Sequence, residues 1–248
     1  MTGASQPFGT AASRRGWLGK TLSHLFMKSA VVVHCEQVSD RFRLITLESP
    51  QFRGIDWRAG QKIQIGMGAA FATRTYTPIE WDTGAGRTRI LGYAHEVGPG
   101  SAWIRRVQPG DSCEVFGPRT SLDASSARGV IALFGDETSI GLAHAVSRQQ
   151  PGNAVQVFLE VNSGPDAGRA MTLLGLGNVE CVERDPADAH LSGIERRMTA
   201  LAAAGATFLL SGKASSIQRL HRALKGQGIP AARLATKAYW APGKVGLD

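Results

Sequence analysis

Arg74-Thr75-Tyr76-Thr77-Pro78 stands between two short runs rich in β-branched residues, 61–65 and 88–93. The segment therefore lies within an all-β region. Its residue types form a chemical set. An arginine fork neutralises a diphosphate through two parallel N–H donors. A tyrosine offers a flat face for stacking on a planar ring. A threonine hydroxyl bonds a ring heteroatom. On these residues alone two readings stay open: a binding segment carrying charge, plane and hydroxyl, or an ordinary turn closed by Pro78 with Tyr76 in the core.

Outward from this segment the texture holds over about ninety residues. Runs at 30–35, 42–48, 61–65, 88–93 and 112–116 are separated by Gly, Pro and Asp. Strands of this length and spacing predict an antiparallel β-barrel or sandwich over 29–122. From Gly129 the pattern changes. The run 130–134 is apolar throughout, as in a strand buried on both faces. A helix over 138–149 and a strand over 155–161 follow. Then come a strand at 179–182, a helix over 191–203, a strand at 207–210, a helix over 215–225 and a strand at 234–240. Strands alternating with helices predict a parallel five-stranded sheet with helices on both faces, over 129–248. The small, polar stretch 121–128 marks the boundary. Two domains in this order leave a cleft between them, where ligands commonly bind.

Composition narrows the function classes. Hydrophobic residues make up 43% and charged residues 19%, which is globular rather than disordered. The net charge of +8 attracts anions, but no run of five basic residues and no aromatic-studded basic motif points to nucleic acid. Cys35, Cys113 and Cys181 are far apart and show no CxxC spacing, so no protein metal site is expected and a reduced, cytoplasmic protein is. No apolar run is long enough to span a bilayer. A monomer is expected. Residues 1–28 read as an extension. Ser13-Arg14-Arg15-Gly16-Trp17-Leu18-Gly19-Lys20 is similar to a twin-arginine export signal, but His24 and Lys28 interrupt the apolar stretch that such a signal needs. A short basic amphipathic helix with Trp17, Leu18, Leu22, Leu25 and Phe26 on one side is the favoured reading.

A second segment adds to the first. Tyr93-Ala94-His95-Glu96-Val97-Gly98-Pro99-Gly100-Ser101-Ala102-Trp103 ends a strand and opens a helix. Gly98 and Gly100 let backbone approach a phosphate, and Ser101 is a natural N-cap for the helix. The helix start presents free N–H groups to an anion. His95 is either a ligand-facing group or a surface histidine at a strand end.

Taken in order, Arg-x-Tyr-Thr, the Gly-Pro-x-Ser-x-Trp segment, Pro109-Gly110-Asp111 and Gly117-Pro118-Arg119 resemble the siderophore-interacting proteins. These are FAD-containing ferric-siderophore reductases of the ferredoxin-reductase-like superfamily. The second half agrees: Gly135-Asp136-Glu137-Thr138 is similar to the family's Gly-Asp-Glu-Thr. Ser211-Gly212-Lys213-Ala214-Ser215-Ser216-Ile217 and Lys237-Ala238-Tyr239-Trp240-Ala241-Pro242-Gly243-Lys244 resemble its closing motifs. The resemblance covers about residues 30–245. The sequence departs from it at Lys213, where Glu is usual, and at Ala238 and Thr120, where Gly is. It departs again at Ala241, where a basic residue is usual.

The resemblance implies FAD held by Arg74, Thr75, Tyr76, Thr77, Tyr93, His95, Gly98, Gly100, Ser101 and Trp240. It implies NADPH or NADH bound near Asp136, Glu137 and Thr138, although those residues also read as a helix cap with acidic charge in its first turn. It implies a ferric siderophore or other ferric chelate held by Arg119, Lys244 and, more weakly, Lys62, each of which also reads as a solvated surface charge. Tyr239 reads as packing and Trp240 as facing the cleft. Glu160, near the end of the second parallel strand, reads as an acid favouring an unphosphorylated ribose. No nucleophile or general base is called for. Two alternatives stay open: a flavoreductase with a protein electron acceptor, and a flavin-bound siderophore carrier without turnover.

Overall fold

The structure, a computed structural model, describes residues 27–67, 73–95, 98–125, 127 and 129–244. The arginine-pair segment near the N-terminus lies outside them. The first module is a seven-stranded antiparallel sheet. Its strands are β1 (Lys28–Gln37), β2 (Phe42–Glu48), β3 (Lys62–Gly66), β4 (Thr73–Tyr76), β5 (Pro78–Asp82), β6 (Arg87–Tyr93) and β7 (Ser112–Arg119). Their spatial order is β4-β3-β7-β1-β2-β6-β5. The two end strands, β4 and β5, are consecutive in the chain and joined by Thr77 alone. That connection curls the sheet and brings its two edges together through the chain at Thr77, while β4 and β5 remain edge strands with no ladder between them. The segment read as a connection between strands is itself strand on both sides of Thr77. Pro78 is tolerated there because it opens an end strand, where its missing N–H leaves no gap in a ladder.

Inward-facing residues of these strands, among them Val32, Ile45, Leu47, Ile63, Ile65, Ile90 and Val115, are wholly buried and form the barrel core. Helix α1 (Pro99–Arg106) covers one end, with Trp103 and Ile104 buried against it.

The second module is a parallel sheet of β8 (Val130–Asp136), β9 (Ala154–Val161), β10 (Val179–Glu183), β11 (Thr207–Lys213) and β12 (Leu234–Trp240), in the order β10-β9-β8-β11-β12. Central β8 is apolar from Ile131 to Phe134 because helices cover both its faces. Those helices are α2 (Ile140–Gln149), α3 (Gly164–Leu173), α4 (His190–Ala203) and α5 (Ala214–Gly226). The chain doubles back between β8 and β11. Their carboxyl ends therefore flank the crevice where doubly wound sheets take ligands.

The two modules share one core. Phe42, Leu44, Ile79 and Tyr93 of the first pack in the same cluster as Ile140, Leu142, Ala143 and Val146 of α2. Gly141 lies at the join: a Cβ there would come within 2.9 Å of the Ile79 side chain. Close packing of this kind fixes the cleft between the modules in place.

Candidate functional site

The cleft is a cavity of about 690 Å3 bounded by β4, the β4–β5 link, the end of β6, the start of α1, the ends of β11 and β12, and the segment after β12. Arg74, Thr75, Tyr76, Thr77, Tyr93, His95, Gly98, Gly100, Ser101 and Trp240 all line it. Residues scattered from 74 to 240 along the chain thus come together in one place.

Helix α1 begins at Pro99, with Gly98 as its N-cap. The sequence expectation put the cap at Ser101. Proline belongs at the first helical position, where its missing N–H costs nothing, so the helix starts one turn earlier. Ser101 falls in the first turn, where its backbone N–H has no intrahelical acceptor. Among the described residues no side chain caps this end. The Gly100 backbone lies against Arg74: a Cβ on it would be 3.1 Å from the arginine Cγ. Open amides, a helix N-terminus and a guanidinium stem therefore meet at one wall, the donor set that a diphosphate requires.

Tyr76 lines the same wall, its ring tilted against Trp103 with centroids 5.8 Å apart. Burial pushes its phenol well above the ordinary range, so it stays neutral. Thr77 Oγ1 lies 3.1 Å from the Tyr239 hydroxyl, a bond that ties the barrel seam to β12 across 162 residues. Burial pushes Tyr239 up to about 12. His95 stacks between Tyr93 and Trp240, with ring centroids 6.0 Å and 5.9 Å away. These aromatic, hydroxyl and anion-binding groups fit a flavin dinucleotide.

The acid triplet after β8 divides. Thr138 lines the cleft; Asp136 and Glu137 do not. Asp136 is wholly buried and caps the 3-10 turn Glu137–Ser139 by accepting from the Thr138 N–H at 2.9 Å. Its other oxygen accepts the Trp240 indole N–H at 2.6 Å. Burial pushes this carboxyl up to about 6. Glu137 accepts the Asn162 backbone N–H at 2.6 Å and an Arg184 N–H at 2.7 Å. Both carboxylates lie beneath the floor of the cleft and hold up what lines it. Glu160, expected to face a ribose, is also wholly buried, with His190 Nε2 at 2.8 Å from its carboxylate and Arg184 Nε at 3.7 Å. Arg184 is thus the hub of this buried network, and its guanidinium lies 5.7 Å from the Trp240 ring. Its partners come from the ends of β8 and β9 and the residues just after them, so no local spacing marks it.

The basic candidates also divide. Lys244 lines the cleft. Lys62 and Arg119 face each other in the β3–β7 ladder outside its lining. Lys62 is buried, and Arg119 lies over the Phe116 ring at 4.5 Å and donates to Gln64. Two further lysines, Lys213 and Lys237, line the cleft. The sequence flagged Lys213 only as a departure and gave no sign of Lys237 beyond its place before Tyr239.

No grouping of three or more His, Cys, Asp or Glu suited to a metal occurs among the described residues. Nor is any helix among them long and apolar enough to cross a membrane.

An antiparallel barrel, a parallel sheet in the order 3-2-1-4-5 and a cleft between them define a ferredoxin-reductase-like fold. Solved structures agree on the fold. The siderophore-interacting protein SipS from Aeromonas hydrophila aligns with a TM-score of 0.71 at 20% identity, over 88% of this chain and 93% of its own. A siderophore utilization protein from T. fusca aligns with a TM-score of 0.69 at 20% identity, over 90% and 95%. Phthalate dioxygenase reductase gives 0.70 at 16% identity, over 89% and 70%. Residues 65–122 match the model of the siderophore-interacting FAD-binding domain. A sequence search of curated proteins gave no match.

Proposed function

We propose that this chain binds FAD in the cleft and passes electrons from NADPH or NADH to a ferric siderophore or other ferric chelate, as a cytoplasmic monomer. One observation carries the reading. Every residue that the motifs assign to FAD lines a single cavity, and that cavity opens at the switch point of the parallel sheet.

Arg74 and the first amides of α1 would hold the FAD diphosphate. Tyr76 would supply the plane against the flavin ring, and Thr77 a hydroxyl whose position Tyr239 fixes. FAD, when bound, supplies the exchange between a two-electron donor and a one-electron ferric acceptor. The protein's part is to orient and enclose. Trp240, pinned by the buried Asp136 and braced by His95, covers the cleft from the β12 side and limits water. Thr138, in the turn just after β8, lines the cleft and would meet the nicotinamide nucleotide. No side chain needs to act as a nucleophile, and the thiols are set against it: burial raises the pKa of Cys113 to about 12.

The test is anaerobic. Purified protein is expected to be yellow, to bleach on mixing with NADPH or NADH, and to regain its flavin absorbance when a ferric siderophore is added, with ferrous iron trapped in step. Colourless protein overturns the flavin assignment. Bleaching without chelate-dependent recovery transfers the acceptor role to a protein. A flavin that neither nucleotide bleaches leaves a carrier without turnover.

A further inference from the structure

A dinucleotide laid across a doubly wound sheet runs from the end of the first strand over the end of its neighbour, where a side chain reads the adenosine ribose at its 2′ position. In this chain those ends belong to β8 and β9, with β10 alongside. Tyr93 carries the cleft to that region. It lines the cavity, and its hydroxyl accepts from Asn162 Nδ2 at 3.4 Å, just past β9. The acid expected to read the ribose, Glu160, is buried and held by His190 and Arg184. The ribose must therefore meet other groups at the same strand ends.

Helix α3 starts there, two residues past Asn162, and a helix start is a ready seat for a phosphate. This one is already full. The Gly164 N–H donates to Glu183 Oε1 at 2.9 Å. Pro165 has no N–H to offer. The Asp166 N–H donates to Ser163 Oγ at 3.4 Å, and the Ala167 N–H to the Ser163 carbonyl at 3.1 Å. Helix α1, on the barrel side of the cleft, is the contrast: it starts at a glycine that has no side chain to cap it. One helix start is thus left open to an anion and the other is closed by an acid.

The charges at the closed end point the same way. Glu183 ends β10 and is exposed, and among the described residues no ion pair involves it. The nearby cations are engaged. Arg184 is held by Glu137 and Asn162, Arg169 by Asp166 at 3.0 Å, and Arg41 by the Tyr93 hydroxyl.

We infer that Glu183 makes this chain select NADH over NADPH, because its carboxylate closes the helix start that would receive a ribose 2′-phosphate and repels that phosphate, while it can accept from a ribose hydroxyl. This rests on the nucleotide-binding reading above. The acceptor of the electrons does not enter it. The net charge of +8 favours the more anionic nucleotide, so a preference for the less anionic one has to come from a local acid.

Equilibrium dialysis of the oxidised, flavin-loaded protein against two redox-inert probes tests the assignment. Adenosine 5′-monophosphate should bind roughly fivefold or more tightly than adenosine 2′,5′-bisphosphate, and added salt should narrow the gap. Glu183→Gln keeps an acceptor for the Gly164 N–H and removes the charge. It should raise affinity for the bisphosphate until the gap closes, with the melting temperature and monophosphate binding little changed. Anaerobic flavin bleaching should follow the same pattern, faster with NADH than with NADPH in the wild type and alike in the variant. A wild type that binds the bisphosphate as tightly as the monophosphate overturns the inference. So does a variant whose ratio does not move, or a protein that binds neither probe. A protein that selects the monophosphate but whose flavin neither nucleotide bleaches sinks the reductase reading and leaves Glu183 its role. Bleaching by both nucleotides alike does the reverse.

Discussion

Arg74 shows how one side chain links sequence to site. Its aliphatic stem packs on Gly100, which has no Cβ to push it away, and one of its N–H groups donates to the Thr73 carbonyl at 2.7 Å. The guanidinium is thereby held beside the open start of α1. Truncation would remove a charged donor while leaving the barrel core intact. Arg74→Ala is therefore expected to weaken FAD binding roughly tenfold or more, the usual cost of a charge-assisted hydrogen bond. Flavin content after gel filtration measures it, and full retention would remove Arg74 from the diphosphate site. This residue was legible in the sequence because its partners are near it in the chain. Lys62 and Arg119 were not, since the register of the β3–β7 ladder decides where they lie.

Among the elements, the end of β11 is the most constrained. Gly212 has φ +96, a conformation that other residues rarely adopt, and a Cβ there would lie 2.5 Å from the Asp136 carboxylate. The tight turn lets β11 pass directly into α5 with Lys213 facing the cleft. Gly212→Ala should cost about 1–3 kcal/mol from backbone strain alone, with the clash in addition, read as a lower melting temperature. An unchanged melting temperature would contradict this account. Helix α3 is the element that sequence reading missed. Gly164, Pro165 and Gly168 are poor helix formers, and only Ala167 and Ala170 of the helix are buried, which leaves no apolar stripe to detect. The signal was present at its start: Ser163 caps the helix by accepting from the Asp166 N–H, with Pro and Asp in the first turn.

At the scale of the whole molecule, the modules are tied by the shared core, by Thr77–Tyr239 and by the network under Trp240. That network makes stability depend on pH through Asp136. Its carboxyl sits at about 6 in the folded chain, against an ordinary value of 3.8, chiefly because burial disfavours its charge. Between those values the folded chain keeps a proton that the unfolded chain has released. The stability this group contributes is therefore full below the lower value and lost as pH rises through the upper one. Asp136→Asn has no such proton to lose. It should gain on the wild type by on the order of 3 kcal/mol between about pH 4 and 7, measured by urea unfolding at each pH. A stability difference that stays constant across that range would refute the assignment.

The change from barrel to doubly wound sheet, most of the elements and the two segments that line the cleft from the barrel side follow from the sequence alone. They depend on local periodicity, on Gly and Pro punctuation, and on groups only a few residues apart. The acid and basic groups were decided by tertiary structure. Asp136 meets Trp240 across 104 residues, and Arg184 meets Glu137 across 47. Whether a charge lines a cleft or lies beneath it depends on which strands become neighbours. Only the folded sheet, by burying three carboxylates and aiming three lysines, sets the sign of the field inside the cleft.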